Sequence, residues 1–381
     1  MHLRFVFRAS RRAAVFFAIA NVFCVSCATA APQTCADPQK PVAGPETVTL
    51  KAVGDIVLGS DWPVSRYPAG FDKDAQARLR RVLGNADVTF GNFEGALTAH
   101  DVSTKTTGSA ASFAFRMPSR FASLLKSVGF NVMHIANNHS FDFGEVGFND
   151  TVTNFSNEDI YTIGHKDTVV LQKIKDVVIG WVALSYSWRF DDMADFALLA
   201  DLINRARAQA DWVVVSVQAG AEGSEALRVV DQEEMFFGEN RGNVFAFAHR
   251  AVDLGADLVL GHGPHVLRGM ECYKGKLIAY SLGNFVGYGA LTTKRAAALS
   301  IVLELRFSKS ESRYSFEVVP LAFDPQHFPV IDPDQRAYYL INDLSRLPPL
   351  SGTIQLPANP GAYAKYRAWR TAADIDYIQS P

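Results

Sequence analysis

Beyond residue 47, the chain alternates short apolar runs with segments of amphipathic helical spacing. The apolar runs are rich in β-branched residues and end at glycine or polar residues, as buried strands do; they span 48–55, 86–94, 130–139, 177–185, 212–218 and 257–261. Helical spacing of apolar residues is found at 119–129, about 197–210 and about 244–254. Because strands separated by helices favour parallel pairing, the pattern predicts a layered α/β domain with a largely parallel sheet.

A different pattern begins at Lys276. Strand-like runs follow one another there with charged turns and without helical segments between them, at 276–286, 298–307 and 313–323. Such runs predict an antiparallel edge or a second sheet, so the predicted domain, 47–330, has a strand-rich C-terminal part. The extension at 331–381 has weak signals and is left unassigned.

The N-terminal thirty residues have the features of an export signal. A basic start precedes an apolar run at 13–25, and Ala-Thr-Ala at 28–30 forms an A-x-A cleavage site. We therefore predict a signal peptide over 1–30, a Pro-rich linker over 31–46 and export to the periplasm or the cell surface. A retained membrane anchor is the alternative interpretation, although the apolar run is short for a bilayer span.

Charge and cysteine content exclude two kinds of function. The formal net charge is −2. It becomes about −6 once the four arginines of the signal segment are removed, which argues against nonspecific nucleic-acid binding. Of the four cysteines, Cys35 and Cys272 would stay in the mature chain. They allow one disulfide in an oxidising compartment, but their number excludes a zinc site built from cysteine.

Polar side chains gather at the ends of the predicted strands, where the loops of an open α/β sheet meet in one crevice. They are Asp55, Glu94, Asn137, Asn138, His139, Gln218, Glu222, His262 and His265. Each alone also fits a turn former, an ion pair or a core histidine. However, His262 and His265 lie three residues apart in a Gly/Pro-flanked loop and can converge on one ion. The combination predicts a centre for one or two divalent metal ions.

The mixture of ligand types narrows the choice of metal. Carboxylate, amide and imidazole groups suit Mn, Zn or Fe better than Ca or Mg. Two such ions would activate a bridging water and clamp a phosphoryl oxygen, as in phosphoesterases. In that arrangement His139 would protonate the leaving group.

Six blocks in chain order, which together cover about two thirds of the chain, resemble a known family. They read AVGDIVLG, GNFEGALT, IANNHSFDFGEVG, VQAGAEG, GADLVLGHGPHVLRGME and LIAYSLGNFV. In these blocks the chain resembles the CapA-type poly-γ-glutamate capsule proteins, a branch of the metallophosphatase-like superfamily. The resemblance implies a four-layer α/β/β/α sandwich, a role in capsule biosynthesis, and an anionic envelope polymer or a phosphoester as the substrate.

The resemblance also implies roles for individual residues. It places likely metal-ligand positions at Asp55, Glu94, Asn138, His262 and His265. Catalytic roles fall on His139, at the position of the superfamily's acid histidine, and on Asp142. Substrate contacts fall on Glu222 and Asn284, which line the same pocket.

Two departures from the family pattern weaken the implied enzyme. Gln218 stands where the family usually has a histidine, and an amide oxygen binds zinc or manganese less strongly than an imidazole does. Val57 stands where the wider superfamily places another histidine, two residues after its first aspartate. Gln218 is retained as a metal ligand, but a single metal or an inactive pocket stays open.

Two functions from different classes therefore fit the sequence. The first is a metal-dependent hydrolase of a phosphoester, or of an amide in an anionic polymer. The second is a noncatalytic capsule assembly or polymer-binding factor with a degenerate metal site, working beside membrane synthetase subunits. Cations for polymer binding would come from Arg241, Arg250 and Arg268, with Arg268 the predicted substrate contact, although each also fits an ordinary surface charge.

Overall fold

The computed structural model describes residues 47–65, 67–105, 113–350 and 354–379. The predicted signal peptide and linker lie outside the described residues, as does Cys35. Cys272 is buried and disulfide-bonded. Among the described helices, none combines the length and the apolar character that crossing a bilayer requires.

Strands and helices alternate through the first two thirds of the described chain. The strands are β1 (Val48–Val57), β2 (Val88–Phe93), β3 (Ala96–Leu97), β4 (Arg116–Met117), β5 (Val132–His134), β6 (Tyr161–Ile163), β7 (Val170–Ile174), β8 (Val177–Ser185), β9 (Trp212–Gln218), β10 (Met235–Phe236), β11 (Glu239–Asn240), β12 (Leu258–His262), β13 (Met270–Tyr273), β14 (Lys276–Ala279), β15 (Asn284–Gly287), β16 (Leu299–Ser308), β17 (Arg313–Phe323) and β18 (Pro329–Ile331). The helices are α1 (Phe71–Leu83), α2 (Phe121–Ser127), α3 (Gly144–Ser156), α4 (Phe196–Arg207), α5 (Val244–Asp253), α6 (Arg336–Ser345) and α7 (Tyr363–Ala372).

The central strand of the larger sheet changes its neighbour just before Asp55. This sheet has the order β18-β17-β16-β1-β2-β5-β6, and β15 also pairs with β1. Residues 48–52 of β1 pair antiparallel with β16, whereas Asp55 and the residues after it pair in parallel with β15. Gly54 lies at the change, where a Cβ would be 1.8 Å from Gly283 O, so no side chain fits there. The parallel pairing of β1 with β2 sets Asp55 opposite Asn92.

The smaller sheet has the order β13-β14-β12-β9-β8-β7. Its inner strands β14, β12, β9 and β8 are parallel, and the edge strands β13 and β7 are antiparallel to their neighbours. The register sets His262 of β12 opposite Gln218 of β9, and Gln218 opposite Ser185 of β8. Polar groups at the ends of three neighbouring strands are thereby aligned.

The two sheets share one apolar core. It includes Leu50 and Phe90 from the larger sheet and Trp181 and Val214 from the smaller one. The rings of Phe90 and Trp181 stack with centroids 5.2 Å apart. Separate apolar clusters join the larger sheet to α1, α2 and α3, and the smaller sheet to α4 and α5. Because the central strands are buried on both faces, their sequences read as nearly continuous apolar runs.

The structure confirms the α/β class, and it refines the C-terminal pattern. All six strand patterns and all three helix patterns before residue 262 correspond to observed elements. The run at 276–286, predicted to lie in an antiparallel edge or a second sheet, is divided between the sheets. Strand β14 lies in the smaller sheet, antiparallel to β13 and parallel to β12, whereas β15 is parallel to β1 in the larger sheet. Strands β16, β17 and β18 do form an antiparallel edge, which belongs to the larger sheet. Helices α6 and α7 of the unassigned extension contribute Leu340 and Tyr366 to the shared core.

Candidate functional site

The carboxyl ends of five strands bring predicted polar residues into one pocket, here called the strand-end pocket. The larger sheet supplies β1, β2 and β5, and the smaller sheet supplies β9 and β12; the residues are Asp55, Glu94, Asn138, Gln218 and His262. All of them except Asn138 are almost entirely buried. Gln218 Nε2 donates to Glu94 Oε1 at 2.9 Å, so the two sheets meet directly in this pocket.

His265 enters the pocket from the loop after β12, with a left-handed φ of 59°. Its Nδ1 lies 2.9 Å from Asp55 Oδ2 and 3.0 Å from Asn284 Oδ1. Because both oxygens are acceptors, Nδ1 carries a hydrogen. The other ring nitrogen, Nε2, lies 3.7 Å from Glu94 Oε2 and 3.8 Å from Glu222 Oε2. His265 thus presents one ring nitrogen to two carboxylates.

Three buried atoms of the pocket have no hydrogen-bond partner among the described residues. They are Glu94 Oε2 and the two ring nitrogens of His262. His262 Nδ1 is 3.6 Å from Asp55 Oδ1, beyond hydrogen-bond distance. The His262 ring contacts the rings of Phe90 and His134, at centroid distances of 5.5 and 5.7 Å. Because buried polar groups are nearly always paired, these atoms indicate a place for a ligand.

Two amide side chains connect the carboxylates across the pocket. Asn92 Nδ2 lies 2.9 Å from Asp55 Oδ1 and 3.1 Å from Gln218 Oε1. Gln218 Nε2 donates to Glu94 Oε1 and, at 3.2 Å, to Asn138 Oδ1. Each carboxylate therefore uses one oxygen for an amide and turns its other oxygen, Asp55 Oδ2 or Glu94 Oε2, toward His265.

Burial and close charges shift the acid–base properties of these groups. Burial raises the pKa of Glu94 to about 7, although His265 opposes the shift. Burial acts to lower the pKa of His265, but Glu94 and Asp55 outweigh it and raise that pKa to about 10. Burial acts to raise the pKa of Asp55, but His262 and His265 outweigh it and hold that pKa well below its ordinary value. The carboxylates thus create a strong local preference for positive charge.

The donor atoms that converge most closely belong to Asp55, Glu94 and His265. One ligand atom from each lies within 4.8 Å of the others. Carboxylate oxygen and imidazole nitrogen are ligands for Mn, Zn and Fe. Together with the unpartnered atoms of Glu94 and His262, this set fits a divalent cation.

His139 and Asp142 form a hydrogen-bonded pair at the rim of the pocket. His139 Nδ1 lies 2.8 Å from Asp142 Oδ2, which also accepts the Phe115 N–H at 2.8 Å. Lys105 Nζ lies 3.4 Å from the other oxygen, Asp142 Oδ1. The carboxylate fixes the ring of His139 with a hydrogen on Nδ1, so Nε2 is the ring nitrogen left for other contacts.

Glu222 faces the pocket and is paired with Arg241. Arg241 Nη1 donates to Glu222 at 2.8 Å, and Nη2 lies 2.9 Å from Glu239. The Arg241 guanidinium also lies over the ring of Tyr186 at 4.2 Å. The charge of Arg241 is therefore already neutralised inside the protein.

Arg250 is exposed in the last turn of α5.

Arg268 is fully buried and is not brought to the surface of the pocket. Its two terminal nitrogens contact the carboxylate of Glu234 at 2.8 and 2.7 Å. Nε donates to Ala226 O at 2.7 Å, and Nη2 donates to Ala221 O at 3.1 Å. These contacts leave the guanidinium no exposed donor for a substrate. They hold the loop that carries Glu222.

Two residues of the pocket escaped the sequence analysis because they lie inside strands. Asn92, in β2, also accepts from Asn137 Nδ2 at 3.0 Å. His134, in β5, contacts Ala136 O through Nε2 at 3.1 Å and Ser216 Oγ through Nδ1 at 2.9 Å. Since a carbonyl only accepts, Nε2 carries the hydrogen and Nδ1 accepts from the Ser216 hydroxyl. The signal that could have indicated both residues is a polar side chain inside an otherwise apolar strand sequence.

Similarity to known proteins covers the part of the chain that forms the pocket. A family model described as "Bacterial capsule synthesis protein PGA_cap" matches residues 49–288. That range contains every residue of the strand-end pocket, together with His139, Asp142, Glu222 and Asn284.

Individual relatives align over most of the chain. The "PGA biosynthesis protein CapA" of Bacillus subtilis (strain 168) is 27% identical over 330 residues, which is 81% of this chain and 80% of the relative. The "Capsule biosynthesis protein CapA" of Bacillus anthracis is 28% identical over 278 residues, 67% of this chain and 63% of the relative. A "Probable polyglutamine synthesis accessory protein" of Mycobacterium tuberculosis (strain ATCC 25618 / H37Rv) is 29% identical over 292 residues, 70% of this chain and 72% of the relative.

Proposed function

The chain belongs to the bacterial capsule synthesis protein PGA_cap family, and from that premise we propose that it is an exported accessory protein of polyglutamate capsule synthesis whose strand-end pocket is a metal-dependent hydrolytic centre. The names of the relatives support a role in the synthesis of such a polymer. The proposed fold is the four-layer α/β/β/α sandwich of metallophosphatase-like proteins. The shared core between the sheets and the helices packed on each sheet support it.

One observation carries the proposed metal centre. Glu94 Oε2 and both ring nitrogens of His262 are buried without partners among the described residues, beside the converging ligand atoms of Asp55 and His265. Leaving buried polar groups unpaired is costly, and a cation would satisfy them. We assign Asp55, Glu94, His262 and His265 as ligands of one Mn, Zn or Fe ion, with Asn138 at the rim. A second ion would require Gln218 to give up its hydrogen bonds.

The substrate would be a phosphoester, or an amide of an anionic envelope polymer. When bound, the metal supplies a Lewis acid and lowers the pKa of its water. Asp55 and Asn284 orient His265 through Nδ1, as carboxylates commonly do for metal-binding histidines. Asp142 orients His139, whose Nε2 would hold the proton delivered to the leaving group.

A second function is favoured by the two amides. Asn92 and Gln218 already occupy one oxygen of each carboxylate and bridge the two sheets. In an active two-metal site these carboxylate oxygens would be free to bind metal ions. A pocket whose carboxylates are hydrogen-bonded to amides would suit a noncatalytic assembly or polymer-binding factor beside membrane synthetase subunits.

Metal analysis tests the proposal. The purified protein is loaded with Mn, Zn or Fe, dialysed and measured by plasma mass spectrometry. We expect about one ion per chain, lost in Glu94→Gln and His265→Gln and retained in His249→Gln. His249 is the matched control, since its Nε2 contacts the Glu271 carboxylate at 2.8 Å outside the pocket. No bound metal under any loading condition would overturn the centre.

Activity assays separate the two functions. Phosphomonoesters, phosphodiesters and oligo-γ-glutamate are offered with and without added Mn. We expect turnover that depends on metal and falls in His139→Gln. Bound metal without turnover of any of these substrates would favour the noncatalytic factor.

A further inference from the structure

A cavity of about 420 Å³ opens beside the strand-end pocket. The two share Asn138, which lines the cavity and whose Oδ1 accepts from Gln218 Nε2 at 3.2 Å. The turn at 186–189 and strand β11 also line the cavity. A chain held in the cavity could therefore extend directly into the proposed metal centre.

The cavity carries two cations with unused hydrogen-bonding capacity. Lys105 Nζ is 3.4 Å from Asp142 Oδ1 and 3.4 Å from Asn138 O, and Arg189 Nη1 is 3.6 Å from Glu145 Oε1. All of these distances exceed the 2.7–2.9 Å of a strong charged hydrogen bond. Both cationic side chains are 34% exposed. The acid on the lining, Glu239, is already paired with Arg241 at 2.9 Å, so the lining favours an anion.

Aromatic side chains lie beside Arg189 on the cavity lining. The Arg189 guanidinium lies 4.6 Å from the Phe141 ring centroid and 4.7 Å from that of Trp188. Trp188 is 78% exposed, the highest value among the large apolar side chains of the described chain. Tyr186 OH is buried on the lining and has no hydrogen-bond partner among the described residues. A flat apolar surface beside cations suits a ligand with methylene groups as well as charge.

We propose that this cavity binds an acidic peptide chain next to the reacting bond, with Lys105 and Arg189 contacting carboxylates and Trp188 covering the methylene groups between them. An inorganic phosphate would use the cations and leave the exposed indole without a role. The proposal rests on the proposed function for the identity of the polymer, but the binding itself does not require metal.

Binding of a synthetic γ-linked glutamate decamer tests the proposal. The purified protein is titrated by calorimetry and by tryptophan fluorescence at low salt, with a glutamine decamer as the neutral probe. Lys105→Gln and Arg189→Gln should each weaken binding of the acidic decamer by about tenfold, since each removes a charge-assisted contact. Trp188→Ala should weaken it about fivefold, and added salt should weaken it further.

The matched control is Arg81→Gln, which removes the same charge elsewhere. Arg81 is exposed in the last turn of α1, just before β2 begins, so it is at the opposite end of the larger sheet from the carboxyl end of β2. Binding in this variant should stay within about twofold of the parent. Parallel metal analysis separates the two proposals: a metal-free protein whose decamer binding falls in Lys105→Gln supports the cavity while overturning the metal centre.

Three results would overturn the cavity proposal. They are unchanged decamer binding in the double variant Lys105→Gln/Arg189→Gln, equal binding of the glutamine decamer, and full competition by inorganic phosphate at the same charge concentration. Thermal unfolding of each variant is measured alongside. The Arg189 pair is long and at least partly exposed on both sides, so Arg189→Gln should hardly move the unfolding midpoint. Lys105 faces the buried carboxylate of Asp142, so Lys105→Gln should lower the midpoint, and binding is compared well below it.

Discussion

Replacing Arg268 by Met tests how the loops of the strand-end pocket are held together. Arg268 is fully buried, and Glu234 is 7% exposed. Two contacts of 2.8 and 2.7 Å join their charged groups. Removing one partner of such a pair leaves a buried uncompensated charge, which costs about 3–5 kcal/mol. We expect Arg268→Met to lose about that much free energy of unfolding.

A double-mutant cycle with Glu234→Gln isolates the charge term. Glutamine keeps an acceptor for the Ala221 N–H, which now bonds Glu234 Oε2 at 3.0 Å. The double variant should therefore recover most of the loss, with a coupling free energy of about 2 kcal/mol or more. The exposed pair Arg205–Asp167, joined at 2.7 Å, is the control and should couple by less than about 1 kcal/mol.

Urea unfolding at pH 7, followed by circular dichroism and by tryptophan fluorescence, measures each free energy. Coincident transitions from the two probes license the two-state treatment. The reasoning is refuted if Arg268→Met costs less than about 1 kcal/mol. Strict additivity of the two substitutions would refute it as well.

Three further substitutions test other parts of the structure. Gln218→His should raise Mn affinity about tenfold by adding an imidazole, as measured by calorimetric titration; unchanged affinity would mean that a missing ligand does not limit binding. Burial, together with the neighbouring His262 ring, lowers the pKa of His134 to about 3, below the unfolded value of about 6.5. Between pH 7 and 5 the unfolded chain alone gains that proton, so stability falls as pH falls, by about 2 kcal/mol from this residue. Urea melts at both pH values should show a loss smaller by that amount in His134→Gln, and equal losses would contradict the assignment. Gly54→Ala should cost about 3 kcal/mol or more, because its Cβ would meet Gly283 O at 1.8 Å; a thermal melt within 2 °C of the parent would disprove the close contact.

The strands could be predicted because their burial leaves a direct trace in the sequence. Runs such as 177–185 and 212–218 are apolar at nearly every position, since apolar side chains pack on both faces of the smaller sheet. Helix α3 was missed because it begins at Gly144 after a residue without a side-chain cap, and only Gly147, Thr151 and Phe155 are buried along it. A sparse apolar face of this kind gives a weak helical signal.

The convergence of the candidate ligands was also predictable, because strand ends in parallel sheets meet at one edge. The hydrogen bonds between the pocket residues could not be predicted. Asn92 lies inside β2, and its role follows from the register that sets it opposite Asp55. Arg268 looks like any surface arginine in the sequence. Its burial depends on Glu234, 34 residues earlier in the chain, which no local pattern connects to it.

Two of the four proposed metal ligands come from each sheet, so the geometry of the proposed centre depends on how the two sheets pack against each other. Glu94 follows a strand of the larger sheet and His262 lies in a strand of the smaller sheet, with the stacked rings of Phe90 and Trp181 between the sheets. A shift of one sheet against the other by about an ångström would move these two side chains apart while both sheets stayed folded. Tuning such a centre would therefore depend on interior packing far from it, as well as on the loops that surround it.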